Sequence, residues 1–255
     1  MNDEMDYEVN DEEKVEKYGS NENINKNNDV LFISLGQQCG VSYNLEKYGW
    51  KGETLPFDWI RTPNFSYVVK LIETRFKDFL NPELLEYNNK EEVKFYFKNK
   101  MTKCEFVHEC EDNNFSDILS KYQRRIDRFY EKIKTFNKII FIRDIYRHNY
   151  SKNYIDSASL IDFDLIIKKI NPNLKYRFVI IYRSSIIPYK IITSMKTEVS
   201  PNIIFIQDNT YERYWKREQI DWKRIFDNAL KEFVEDIPLS NSNSISISKS
   251  FHIHV

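Results

Sequence analysis

The chain is 255 residues long, enough to bury one substantial core, and 15% aromatic content with only 5 Gly and 7 Pro describes a dense globular protein rather than a loop scaffold. Its 38 basic residues against 39 acidic ones, a formal charge of −1, remove any global electrostatic case for nucleic acid or an anionic membrane surface. Three widely spaced cysteines do not make a disulfide framework, no apolar run approaches the ~18 residues of a membrane span, and the acidic N-terminus lacks the marks of a signal peptide, so the sequence reads as a soluble protein of a reducing cytoplasm.

Residues 1–28 are polar and acidic, from Asn2-Asp3-Glu4 through Asp11-Glu12-Glu13, and are expected to form a disordered tail. A single α/β domain is expected over 29–238. It opens with an apolar strand from Val30 to Leu35, a turn at Gly36, and a short helix carrying Val41, Leu45 and Tyr48 that stops at Gly49. Leu55-Pro56-Phe57-Asp58-Trp59-Ile60 then reads as a loop pinned to the core around one carboxylate. Thr62 as N-cap and Pro63 at the first helical position introduce a helix through Phe65, Val68, Val69, Ile72, Phe76 and Phe79.

Between Leu84 and Cys110 two β-prone pieces, Lys94 to Lys98 and Cys104 to His108, predict a small β-hairpin insertion. Ser116 can cap a long helix from Ile118 to Ile133. After it, strands Lys138 to Arg143, Arg177 to Tyr182 and Asn202 to Ile206 alternate with a helix over Leu160 to Ile170, an irregular stretch, and a last amphipathic helix from Trp222 to Phe233. Near-continuous apolar strands alternating with helices predict an α/β fold: a mostly parallel central sheet with helices on both faces, Rossmann-like in three layers. Residues 239–255, with Ile245, Ile247 and Ile253 alternating against polar residues, read as a tail or an edge strand.

Ligands of an open parallel sheet bind beyond the carboxyl ends of its strands, which makes the residues just after each strand the candidates. They are Gly36, Gln38 and Cys39 after the first strand, Arg143, Asp144 and His148 after the second, Arg183 and Ser184 after the third, and Gln207 and Asp208 after the fourth. Cys39 stands out, because a thiol at a helix N-terminus meets unpaired N–H groups and the positive dipole end, which favour thiolate. Buried cysteine acting as a small hydrophobe is the competing reading. A thiol nucleophile needs an imidazole, and His108 and His148 are the internal ones; backbone N–H groups at the Cys39 turn would supply an oxyanion hole.

No metal or other cofactor is expected. His252 and His254 are two potential ligands where a site needs three or four, and on a straight strand Cys104, His108 and Cys110 would lie too far apart to share an ion. The Gly36 turn resembles a phosphate cradle only in outline, having neither the dinucleotide nor the P-loop spacing. For Arg143, a buried ion pair and anion binding are equally open.

Ser34-Leu35-Gly36-Gln37-Gln38-Cys39, with Leu45 and then Pro56-Phe57-Asp58-Trp59, resembles the signature of an uncharacterised family of bacteria and large DNA viruses described as papain-like cysteine peptidases. The later motifs His108-Glu109, Tyr122 to Ile126 and Ile140 to Arg143 follow in that family's order, and the resemblance covers roughly residues 30–235. It implies a thiol-dependent hydrolase with Cys39 as nucleophile, His108 as base and Asp58 at the matching acidic position, acting on a peptide or small molecule; for a viral protein the location would be the host cytoplasm or the virion. The family commonly has His-Asp-Phe where this chain has His108-Glu109-Cys110. The alternating sheet pattern differs from papain's own architecture. Asp58 or Asp144 would orient the imidazole. Two other classes stand beside the hydrolase: a Rossmann-like transferase or phosphate or nucleotide-sugar-binding module using Gly36, Arg143 and Arg183, and a non-catalytic interaction protein using the aromatic run from Tyr211 to Arg217.

Overall fold

Four apolar runs of this chain assemble into one parallel sheet in a computed structural model that describes residues 30–87, 97–109, 114–145, 155–210 and 215–234. Chain order gives β1 (Val30–Ser34), α1 (Gly40–Lys47), α2 (Phe65–Glu73), then the short strands β2 (Leu85–Tyr87), β3 (Phe97–Asn99) and β4 (Glu105–Phe106). The long helix α3 (Phe115–Thr135) follows, and then β5 (Lys138–Ile145), α4 (Ser157–Ile170), β6 (Lys175–Tyr182), α5 (Tyr189–Glu198), β7 (Ile203–Gln207) and α6 (Trp222–Val234). The two expected tails, Cys110, His148 and both C-terminal histidines lie outside the described residues.

The strand order is β1-β5-β6-β7, with every pairing parallel. Because side chains alternate along a strand, Ile33, Ile139, Phe141, Phe178 and Ile180 face α2, α3, α4 and α5, whereas Phe32, Ile140, Ile142, Val179 and Ile181 face α1 and α6. Both faces are thus covered, which is why the strands read as continuous apolar runs. The spatial order follows the chain order without reversing, so no crevice opens between diverging crossovers, and β1 lies at an edge.

The insertion after α2 is larger than the expected hairpin: β2, β3 and β4 form a three-stranded antiparallel sheet. β2 escaped the sequence because two of its three residues are exposed, leaving no alternation to read. Beneath the insertion, Phe79 packs on Phe106 at 5.0 Å and Phe106 on Tyr122 at 5.3 Å, while Phe57 meets Phe76 and Phe129 at 5.2 and 6.0 Å. Each such contact adds about 0.5–1.5 kcal/mol beyond burial, so this aromatic cluster fixes the two loops that lead away from Phe57 and Phe106.

Several helix boundaries differ from expectation for identifiable reasons. α2 begins at Phe65 and ends at Glu73, because Arg75, Phe76 and Asp78 adopt φ of 54°, 59° and 61°, turning the chain while leaving Phe76 and Phe79 buried. The expected cap Thr62 is instead drawn into the core by Arg143. Asn114, not Ser116, caps α3, its side chain accepting the Ser116 N–H. The stretch read as irregular contains α5, whose Ile192 and Met195 are buried while Tyr189 and Ile191 are exposed.

Candidate active site

Cys39 sits at the cap position before α1, its carbonyl accepting the Tyr43 N–H at 2.9 Å. The side chain is 4% exposed. Burial pushes its thiol pKa up to about 12, outweighing the Arg61 charge and the backbone N–H of Cys39 itself, both of which pull it down. The helix-start argument gave the opposite direction; desolvation of the charged form is the larger effect here. At rest the side chain is therefore a neutral thiol.

His108 meets it, with Cys39 Sγ and His108 Nε2 3.5 Å apart across 69 residues of sequence. The histidine lies in the turn after β4 rather than on a strand, and its ring is exposed. Its neighbour Glu109 is buried and ion-paired with Lys121 Nζ at 2.5 Å, which anchors the turn to α3.

The 55–63 loop holds Cys39 and His108 in one frame. The Thr62 N–H donates to the Gln37 carbonyl at 2.9 Å, tying the loop to the Cys39 turn, and Arg61 and Glu105 exchange backbone hydrogen bonds at 2.9 and 3.0 Å, tying it to β4. Asp58 is buried; its Oδ1 accepts from Ser42 Oγ at 2.8 Å and its Oδ2 from the Leu55 N–H at 2.7 Å. Its carboxylate thus braces the loop against α1 one turn beyond Cys39, at a cost that shows as a raised pKa, with burial the dominant cause.

Among the described residues no carboxylate forms an ion pair with Arg143, whose guanidinium meets backbone carbonyls and a hydroxyl instead. Fully buried, it donates to the Leu35 carbonyl at 2.6 Å, to Thr62 Oγ1 at 2.9 Å, and to the Thr62 and Pro63 carbonyls at 2.6 and 3.3 Å. Burial lowers its pKa to about 9, still a cation at neutral pH. It thereby clamps the strand end before Cys39 to the loop that carries Asp58. Gly36, with φ +83°, permits this: a Cβ there would lie 2.2 Å from Thr62 Oγ1.

Gln38 is buried and lines a tight recess with Gly40, Asp144, Trp215 and Arg217. Asp144 faces Arg217, whose Nε lies 2.8 Å from Oδ2, and so braces the segment before α6. Arg183 and Asp208 are buried at the same rim. Sequence reasoning did not find Arg61, Thr62 or Glu109 as builders of the site, nor Trp215 as a neighbour of His108. Only the Trp59-Ile60-Arg61-Thr62-Pro63 continuity with the pinned loop offered a hint. Among the described residues no group of three His, Cys, Asp or Glu side chains is arranged to hold a metal ion, and no helix is long and apolar enough to cross a membrane.

Residues 30–185 match the family described as "Putative papain-like cysteine peptidase (DUF1796)". Over 226 residues, covering 79% of this chain and 99% of the relative, the chain is 30% identical to "Uncharacterized protein R408" of Acanthamoeba polyphaga mimivirus. No solved structure matches it significantly. The matched region contains β1, the Cys39 turn, the bracing loop, the insertion with His108, and β5 with Arg143, and on that extent of agreement the chain belongs to the family that carries this description, DUF1796.

Proposed function

We propose that this protein is a thiol-dependent hydrolase in which Cys39 is the nucleophile and His108 the base. The observation that carries the reading is the 3.5 Å contact between Cys39 Sγ and His108 Nε2, made by two residues 69 apart that separate loops deliver to the same point. Because burial keeps the thiol protonated, the base acts during attack rather than before it. As Sγ bonds to the substrate carbonyl carbon, the thiol proton passes to Nε2, and the backbone N–H groups at the start of α1 face the developing oxyanion. Collapse breaks the bond to the leaving group, which takes the proton from Nε2 and leaves an acyl thioester on Cys39. Water, deprotonated by His108, then cleaves the thioester and the thiol is restored. Asp58 serves as a positioning residue, through Ser42 and Leu55. The family's peptidase description supports an amide substrate.

The test is trapping the thioester by intact-mass spectrometry with a panel of activated esters and peptide amides. The expected adduct is absent in Cys39→Ser, and its formation slows by about 10²-fold or more in His108→Ala. Undiminished acylation in either variant ends the proposal.

A further inference from the structure

Two indoles that the thiol chemistry does not itself require stand beside His108. Trp59 lies 5.5 Å from the imidazole between ring centroids and Trp215 lies 6.5 Å away, with ring planes at 81° and 73° to it. One comes from the pinned loop and the other from the segment before α6. Both are fixed in place. Lys51 Nζ sits 4.1 Å over the Trp59 ring; Trp215 packs edge-on to Tyr43 at 5.6 Å, and its carbonyl comes so close to α1 that a Cβ on Gly40 would meet it at 2.3 Å. Yet both are only partly buried, whereas Trp222 is fully buried in the core. Rigid, partly wetted indoles beside an exposed imidazole suit recognition, since each offers large contact area with little entropy left to lose on binding.

Chemistry decides which part of a substrate they meet. The thiol lies at the floor of the site, 4% exposed, and the imidazole is exposed beside it. In acylation the Sγ–C bond forms, the C–N bond of the amide breaks, and the proton that left Sγ for Nε2 goes to the departing nitrogen. The departing amine must therefore lie against His108, and so near both indoles, while the acyl group stays over Cys39. Resting on the hydrolase reading above, we propose that Trp59 and Trp215 form the leaving-group subsite and select amines bearing an aromatic or large apolar side chain. The residue on the carboxyl side of the scissile bond is then a specificity determinant. Because the amine has gone before water attacks the thioester, the preference acts on acylation and leaves deacylation untouched.

The test uses peptide amides with one constant acyl part and a varied leaving residue. Phe, Tyr, Trp or Leu should exceed Ala and Gly in kcat/KM by about tenfold or more, the scale of pocket discrimination between apolar groups. Trp59→Ala and Trp215→Ala should compress that ratio to about twofold, with Trp59→Phe and Trp215→Phe retaining most of it. Deacylation of a thioester preformed from an activated ester should be unchanged in all four. Cys39 alkylation by iodoacetamide at the wild-type rate shows that each variant keeps its fold. A flat leaving-residue profile in an active enzyme overturns this inference alone, as does a preference that survives in both alanine variants. Failure of every ester and amide to acylate Cys39 overturns the hydrolase reading and the subsite with it.

Discussion

Arg143→Met tests whether a buried cation holds the nucleophile turn. Methionine follows much of the arginine stem but offers no donor, so the Leu35 and Thr62 carbonyls, each held at 2.6 Å, lose their guanidinium partner inside the core. A stranded buried carbonyl costs about 1–3 kcal/mol, giving about 2–6 kcal/mol for the two. Removing the cation's own burial cost moves the expectation to the lower half, about 3 kcal/mol. For a chain of this size that corresponds to a fall in Tm of about 6–12 °C. The Arg143→Lys variant keeps the charge, but one ammonium cannot span four acceptors, and an intermediate loss is expected. Urea denaturation followed by tryptophan fluorescence measures the stability, and iodoacetamide labelling of Cys39 measures the site. Loosening the turn should also slow His108-dependent labelling. Stability within about 1 kcal/mol of wild type, the net worth of one ordinary hydrogen bond, would refute the clamp.

Gly36→Ala should lose more than a φ penalty of about 1–2 kcal/mol, because its Cβ would displace Thr62 Oγ1 from Arg143; a thermal melt close to wild type would contradict the 2.2 Å approach. Asp58→Asn can accept from only one of Ser42 and Leu55 through its single oxygen and should cost about 1–2 kcal/mol, while Cys39 labelling stays within about threefold. A much larger loss of labelling would give Asp58 a direct part in the chemistry. Stability should also fall in alkali: Cys39 and Cys104 are both raised by burial to about 12, so above pH ~9 the unfolded chain releases thiol protons that the folded chain retains. The slope contributed is at most about 1.4 kcal/mol per pH unit for each thiol and is absent below pH ~8. Denaturation at pH 8, 9 and 10 should show a shallower decline in the Cys39→Ser, Cys104→Ser double variant, and an unchanged slope would argue against buried neutral thiols.

The sheet was legible because burial on two faces writes itself as unbroken apolar runs, and Val30 to Ser34, Lys138 to Arg143 and Arg177 to Tyr182 all fall in the parallel sheet. The position of Cys39 at the start of α1 and the pinned loop were legible too, through the Gly36 turn and the density of large side chains around Asp58. What escaped was long-range satisfaction of polar groups. Thr62-Pro63 reads locally as a helix start, and only the arrival of Arg143 from a strand 80 residues later turns it into part of a clamp. The thiol's pKa was misread for a related reason: the dipole is a local property of α1, whereas the desolvation that outweighs it comes from everything packed around Cys39. Trp215 lies far from His108 in sequence, and nothing in its neighbours signals the encounter.

The delivery of His108 by the three-stranded insertion has a bearing on how much of the protein is competent at any moment. Bringing the imidazole to Cys39 closes a loop of 69 residues, and its entropy cost must be recovered by the insertion's own docking through Phe106, Tyr122 and the Glu109–Lys121 pair. That docking is a smaller cooperative unit than the sheet, so the insertion can open while the sheet stays folded. Each such opening parts His108 from Cys39 without unfolding the chain. Hydrogen exchange at the β3 and β4 amides then counts the fraction in which His108 meets Cys39, and on the proposed hydrolase function temperature or urea should extinguish activity before it touches the parallel sheet.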